Sequence, residues 1–135
     1  MTMAMLAVPV GRRRTTRLDV GVPAPVLHVD VTAGPTEITW QLDADSTFGP
    51  HDRLVVVSKD DPPEPPPKDY PRVSWPFLRG GTDHELRGDE GVDLLASGPL
   101  RPDLDRSVWA YEIQIRDRHD DVVATSDPWI VVERP

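Results

Sequence analysis

The stretch VWAYEIQIR, residues 108–116, decides the fold. Every second residue in it is large and apolar; this set is Trp109, Tyr111, Ile113 and Ile115. Successive side chains of a β-strand point to opposite faces, so the alternation predicts a strand with one buried face. A polar turn follows at 117–121 (DRHDD), and an apolar return strand ends at 129–133 (WIVVE). The pair predicts a hairpin, and Asp127-Pro128 predicts a bulge or an edge crossing in its second strand.

Segments on the N-terminal side of this hairpin repeat the alternation. Residues 26–32 (VLHVDVT) and 37–42 (EITWQL) each place apolar side chains on one face, with a turn at Gly34-Pro35. The run LVVV at 54–57 is typical of a strand buried on both faces. No window has a helical period, and sixteen prolines and nine glycines punctuate the chain. We therefore expect an all-β, two-sheet sandwich of about seven strands. Two weaker strands complete it, an edge strand at 73–78 (VSWPFL) and a short one at 92–96 (VDLLA).

Length and charge set the organisation of the chain. Its 135 residues fit one domain, which we place at 18–135 with a proline-rich loop at 60–71. Residues 1–17 carry an arginine cluster and are expected to form a flexible basic segment. A net charge of −8 argues against nucleic-acid binding. No apolar run approaches the roughly 20 residues that cross a bilayer, and cysteine is absent, so we expect a cytoplasmic protein. Arginine makes up thirteen of the fifteen basic residues, which favours a bacterial source.

The C-terminal hairpin resembles the last hairpin of fibronectin type III and other immunoglobulin-like domains over residues 107–133. The motif is Tyr111-x-Ile113-x-Ile115, a turn, and then Ser126-Asp127-Pro128 before an apolar strand. The resemblance implies a single immunoglobulin-like antiparallel β-sandwich. It also implies that Tyr111 fixes the adjacent loop as a corner tyrosine, that Ile113 replaces a core cysteine, and that Trp40 is the core tryptophan.

A second resemblance concerns the same end of the chain. The run Asp127-Pro128-Trp129-Ile130-Val131 is similar to the ending of bacterial crystalline inclusion-body proteins. This resemblance implies a self-assembling cytoplasmic protein. Neither resemblance carries a catalytic residue over to this chain.

Catalytic and metal-binding patterns are weak in the sequence. Paired carboxylates occur in loop-like segments, where they suit either turn chemistry or calcium. The histidines lack the spacing of a zinc hydrolase, and a triad of Ser58, His84 and Asp89 has no motif to support it. We therefore expect no enzyme activity and no cofactor. The alternative is a calcium- or zinc-dependent protein that uses the loop carboxylates and His84. The pairs are Asp43 and Asp45, Asp60 and Asp61, Asp89 and Glu90, Asp103 and Asp105, and Asp120 and Asp121.

The proline-rich stretch offers a surface for recognition. It contains P-x-x-P followed by a lysine, which suits grooves that read polyproline II, but such a stretch is more often a rigid loop that protects a sheet edge. The function hypothesis is a non-catalytic interaction or self-assembly module whose partner is another protein or a second copy. An accessory domain of a conflict or secretion system is a further alternative. The candidate interaction residues are Pro63, Pro66, Lys68, Tyr70, Trp75, Phe77 and Trp129.

Overall fold

The computed structural model describes residues 4–14, 16–21 and 26–134. Within these residues the chain is all-β, with no α-helix and one short 3-10 turn at Val31–Ala33. No helix in the described part is long and apolar enough to cross a membrane. The ten strands are β1 (Ala4–Arg14), β2 (Arg17–Val20), β3 (Val26–Asp30), β4 (Thr36–Leu42), β5 (Arg53–Ser58), β6 (Glu85–Arg87), β7 (Leu94–Pro99), β8 (Ser107–Arg116), β9 (Val122–Ser126) and β10 (Trp129–Glu133).

Strand β8 is the centre of one group of strands. Its residue Ile113 lies between Val56 of β5 and Ser126 of β9, and both neighbours run antiparallel to it. Strand β10 continues along β8 where β9 ends, after an interruption at Asp127 and Pro128. Proline has no backbone N–H, so the ladder breaks at this point. The hairpin expected from the sequence is therefore present, with its interruption in the expected place.

The turn of this hairpin is held by aspartate side chains. The carboxylate of Asp117 accepts hydrogen bonds from the backbone N–H groups of His119 (2.9 Å) and Asp121 (3.1 Å). Asp120 adopts a left-handed backbone with φ of 64°, which aspartate tolerates better than most residues. The acidic run at 117–121 thus serves the turn itself.

Strand β4 is the centre of a second group. Its residue Trp40 lies between Val8 of β1, which runs parallel, and Leu95 of β7, which runs antiparallel. Strand β1 continues into an antiparallel pair with β2. In the described part of the chain one pair, Arg17 with Thr125, joins β2 to β9, so the ten strands belong to one mixed sheet. At its margins, β3 runs parallel to β10 and β6 runs antiparallel to β5.

Aromatic side chains connect the two groups across the core. The indole N–H of Trp40 on β4 donates to the hydroxyl of Tyr111 on β8, at 3.0 Å, and both side chains are fully buried. Tyr111 stacks on Trp109 with ring centres 4.6 Å apart. Phe77 and Trp75 meet Trp109 edge-on at 5.1 Å and 5.6 Å. Tyr111 therefore bonds to Trp40 in the core, whereas the resemblance placed it against a loop as a corner tyrosine.

The N-terminal region differs from the sequence-based expectation of a flexible segment over 1–17. Residues 1–3 and 15 lie outside the described residues. The remainder forms β1 and the start of β2, with Val8 and Val10 buried. Leu6, Val8 and Val10 alternate along β1 and face the core. The arginines that suggested a solvated tail sit at the far end of a strand whose first half is apolar.

The segment at 73–78 is not the edge strand that its sequence suggested. It crosses the molecule without regular structure, and isolated bridges join Arg72 to Val108 and Phe77 to Leu100. Trp75, with Pro76 beside it, is buried in the aromatic core. Pro76 cannot donate to a ladder, so this stretch contributes side chains to the core and no strand to the sheet. The next expected strand, 92–96, begins later and ends later, as β7.

Candidate functional site

The proline-rich segment, residues 60–71, extends from the end of β5. Pro63, Pro66 and Lys68 are exposed, as the interaction hypothesis requires. The chain bends at 60–61, 63–64 and 67–69, so it does not run as one continuous polyproline II helix. Tyr70 is half-buried where the segment returns to the body.

Three of the expected interaction anchors are buried in this structure. Trp75 is 4% exposed, Phe77 1% and Trp129 5%. The indole N–H of Trp75 donates to the carbonyl oxygen of Arg79 at 2.7 Å, so its polar atom is already used. Trp129 packs beneath Arg72, whose guanidinium lies 5.9 Å from the ring centre. These aromatic side chains pack inside the fold in this structure, whereas the interaction hypothesis places them at a contact surface.

A concave apolar site lies at the end of the molecule where β4 begins and β7 ends. It has a volume of about 490 Å³, and we call it the proline groove. Three stretches from distant parts of the sequence form it: the turn between β3 and β4, residue 78, and the chain that follows β7. Its lining residues are Val31, Gly34, Pro35, Thr36, Leu78, Pro99, Leu100, Arg101 and Pro102.

Backbone hydrogen bonds hold these three stretches in place. The N–H of Leu78 donates to the carbonyl oxygen of Pro99 at 3.1 Å, and the N–H of Leu100 donates to that of Thr36 at 2.9 Å. The prolines in the wall have no N–H to offer, so the surface presents few donors to a ligand. Leu78 projects from this frame and is 60% exposed.

Arg101 is the one charged residue among the described residues that line the proline groove. Its backbone N–H donates to the carbonyl oxygen of Pro76 at 2.8 Å. Its side-chain Nε is buried and has no hydrogen-bond partner within the described part of the chain. A buried polar atom without a partner costs about 1–3 kcal/mol.

Other arginines give this end of the molecule a basic character. Arg79 donates to the carbonyl oxygen of Ala96 at 2.8 Å, and Arg134 donates to that of Pro102 at 2.8 Å. Carbonyl oxygens satisfy these donors without neutralising their charge, although the Arg134 guanidinium also lies 4.0 Å from the Asp105 carboxylate, which offsets part of it. Asp103 and Asp105 offset part of it, since they line a second pocket that Arg101 also borders. The groove is therefore an apolar surface with a positive rim in a protein whose net charge is −8.

An ionic cluster away from the groove lies on the outer face of β8. The ammonium group of Lys59 lies 3.0 Å from a carboxylate oxygen of Glu112 and 3.5 Å from one of Asp127. The hydrogen bond to Glu112 raises the pKa of Lys59. Burial raises the pKa of Asp127. Burial also opposes ionisation of Glu112, but hydrogen bonds from Gln114 and Lys59 outweigh it and lower the pKa of that carboxyl group. The cluster joins β8 to its neighbours, and Lys59 also borders a shallow pocket of about 250 Å³.

Two residues of the hypothetical triad, Ser58 and His84, have other partners. The hydroxyl of Ser58 accepts the indole N–H of Trp109 at 2.9 Å and donates to the carbonyl oxygen of Ser74. The ring of His84 stacks on Trp75 with centres 5.6 Å apart. Among the described residues, no group of three or more His, Asp or Glu side chains is placed so that it could hold a metal ion.

No protein-family model, curated protein or solved structure matches the chain. The sequence could not have pointed to the proline groove as a whole, because its residues come from separate stretches. Each of the contributing stretches contains a proline or a leucine, and the sequence has no other feature that indicates this groove.

Proposed function

We propose that the chain is a non-catalytic protein-interaction module built on an immunoglobulin-like β-sandwich. The sandwich is supported by the two groups of strands centred on β8 and β4, whose aromatic residues meet in one core. Among the described residues, one ladder pair, Arg17 with Thr125, joins β2 to β9. Sandwiches of this type often serve in binding, but a fold alone does not fix a function.

The proline groove is the observation that carries the proposal. Its volume of about 490 Å³ falls within the range of about 300–1,000 Å³ that ligand sites occupy. An apolar wall with one charged group fits a ligand with apolar side chains and one acidic group. The acidic group would meet Arg101, and the apolar side chains would cover Leu78. An extended stretch of a partner protein provides both in one piece.

Selection from a displayed library of random peptides tests this function without knowledge of the partner. We expect the wild-type protein to enrich peptides that combine apolar residues with Asp or Glu. The Leu78→Asp variant is expected to lose at least about tenfold in affinity for them, because burying one leucine contributes about 1.5–3 kcal/mol. Val122→Asp is the matched control, since Val122 is 47% exposed on β9, away from the groove. The proposal fails if no peptide is enriched, or if Leu78→Asp binds the enriched peptides as the wild type does.

A further inference from the structure

The exposed tip of the proline-rich segment, residues 62–69 (PPEPPPKD), has the chemistry of a ligand for the proline groove. Its prolines are apolar and fix the backbone φ angle, so little conformational freedom is lost on docking. All of its residues except Pro62 are exposed. Glu64 stands among the prolines and presents a carboxylate to solvent. The tip therefore combines an apolar proline surface with the Glu64 carboxylate, and Lys68 and Asp69 follow at its end.

Charge favours contact between these two parts of the molecule. Residues 60–69 contain four acidic residues and one lysine. The proline groove has Arg101 in its wall and Arg79 and Arg134 nearby. Two copies of a chain with net charge −8 repel each other in most orientations. The two copies attract each other in the orientation that places the acidic residues of one segment against the arginines at the rim of the other copy's groove.

The proline-rich segment also returns to the body of the molecule close to the groove. A pocket of about 380 Å³ is bordered by residues 71–74, where the segment returns to the body, and by Arg101. None of the residues that line the groove belongs to the tip of the same chain. Two molecules facing each other about a two-fold axis could each place a tip in the groove of the other. Such a contact uses the same patch on both copies and closes on itself.

We propose that the occupant of the proline groove is the tip of a second copy of this chain, with the Glu64 carboxylate bonded to the Arg101 guanidinium. This inference rests on the proposed function, in which the groove binds a protein segment, and it names the partner. The prolines of one copy cover Leu78 of the other. The pairing is weak and concentration-dependent, because two tips in two grooves bury less surface than a permanent dimer does.

A synthetic peptide of residues 60–70 tests the contact directly when it is titrated into the full chain and binding is followed by calorimetry. We expect saturable binding with a dissociation constant of about 10–500 µM. A peptide with Glu64→Gln is expected to bind about tenfold more weakly, because it replaces a charge-assisted hydrogen bond with a neutral one. A peptide of the same composition in scrambled order is the control and is expected not to bind. Equal binding of all three peptides, or no binding by any, overturns the inference.

Sedimentation equilibrium over a range of concentrations tests the pairing in the intact protein. We expect the wild type to self-associate, Glu64→Arg and Arg101→Glu each to remain monomeric, and the double variant to recover association. Higher salt is expected to weaken the wild-type pair. Association that neither single variant changes overturns the inference and leaves the proposed function intact. If the protein is a strict monomer but still selects library peptides, the inference also fails and the proposed function stands. If the library selection fails, the proposed function itself fails.

Discussion

Replacing Tyr111 with phenylalanine removes one oxygen atom from the centre of the core and leaves the ring in place. That oxygen accepts the indole N–H of Trp40 at 3.0 Å. Both side chains are fully buried, so water does not replace the lost acceptor. The stacking of the ring on Trp109 is kept. The variant therefore isolates the cost of one buried donor without a partner, which is about 1–3 kcal/mol.

Urea unfolding followed by circular dichroism measures this cost. We expect Tyr111→Phe to lower the free energy of unfolding by about 1–3 kcal/mol with an unchanged slope against denaturant. Tyr70→Phe is the matched control. The Tyr70 hydroxyl donates to Glu133 at 2.9 Å at a half-buried site, where water can solvate both groups after the change. We expect that variant to lose less than about 1 kcal/mol. Equal losses, or a loss below about 0.5 kcal/mol for Tyr111→Phe, would refute the packing of β4 against β8 through this pair.

Three further predictions concern Tyr111, the Lys59 ion pairs and the turn at Gly80. Burial raises the pKa of Tyr111 above its ordinary value of 10.0. The folded state thus keeps a proton that the unfolded chain releases, so the free energy of unfolding decreases as the pH rises above that value. Urea unfolding between about pH 10 and 12 should show a smaller decrease of this free energy in Tyr111→Phe than in the wild type. Lys59→Met should cost about 1 kcal/mol at neutral pH, because Lys59 is one-third exposed and water screens its ion pairs. This loss of unfolding free energy should become smaller below about pH 4, because protonation relieves the repulsion between Glu112 and Asp127. A loss that does not change with pH would contradict the role of Lys59 in this cluster. Gly80→Ala should lower the melting temperature by several degrees, because Gly80 has φ of +75° and a new Cβ would lie 2.7 Å from the carbonyl oxygen of Glu85. Gly81→Ala, whose Cβ would meet nothing closer than 3.9 Å, should have little effect, and a similar shift in both variants would argue against this turn geometry.

The parts of the fold that could be predicted from the sequence are those with a strong local pattern. The alternation in residues 108–116 gives β8, and Asp127-Pro128 gives the break between β9 and β10. The alternation at 37–42 likewise gives β4. In each case one strand carries its own signal, since side chains on neighbouring positions differ sharply in polarity.

The errors arose where distant contacts decide the structure. Trp75 and Phe77 stand beside a proline, which marks a break in a strand but does not show whether the side chains are buried. Their burial depends on Trp109, far along the chain. At the N-terminus, the charge of the arginines concealed the apolar alternation of β1. The proline groove has no local pattern at all, because the fold alone brings residue 78 next to 99–102.

Amide chemical shifts of the full chain during titration with the 60–70 peptide test the central claim most directly. The account predicts that the backbone N–H signals of Leu78, Leu100 and Arg101 move together and saturate with a single dissociation constant. The signal of Val122, on β9, should stay in place. Shifts confined to other surfaces, or an unchanged spectrum at millimolar peptide, would contradict the assignment of the proline groove as the docking site.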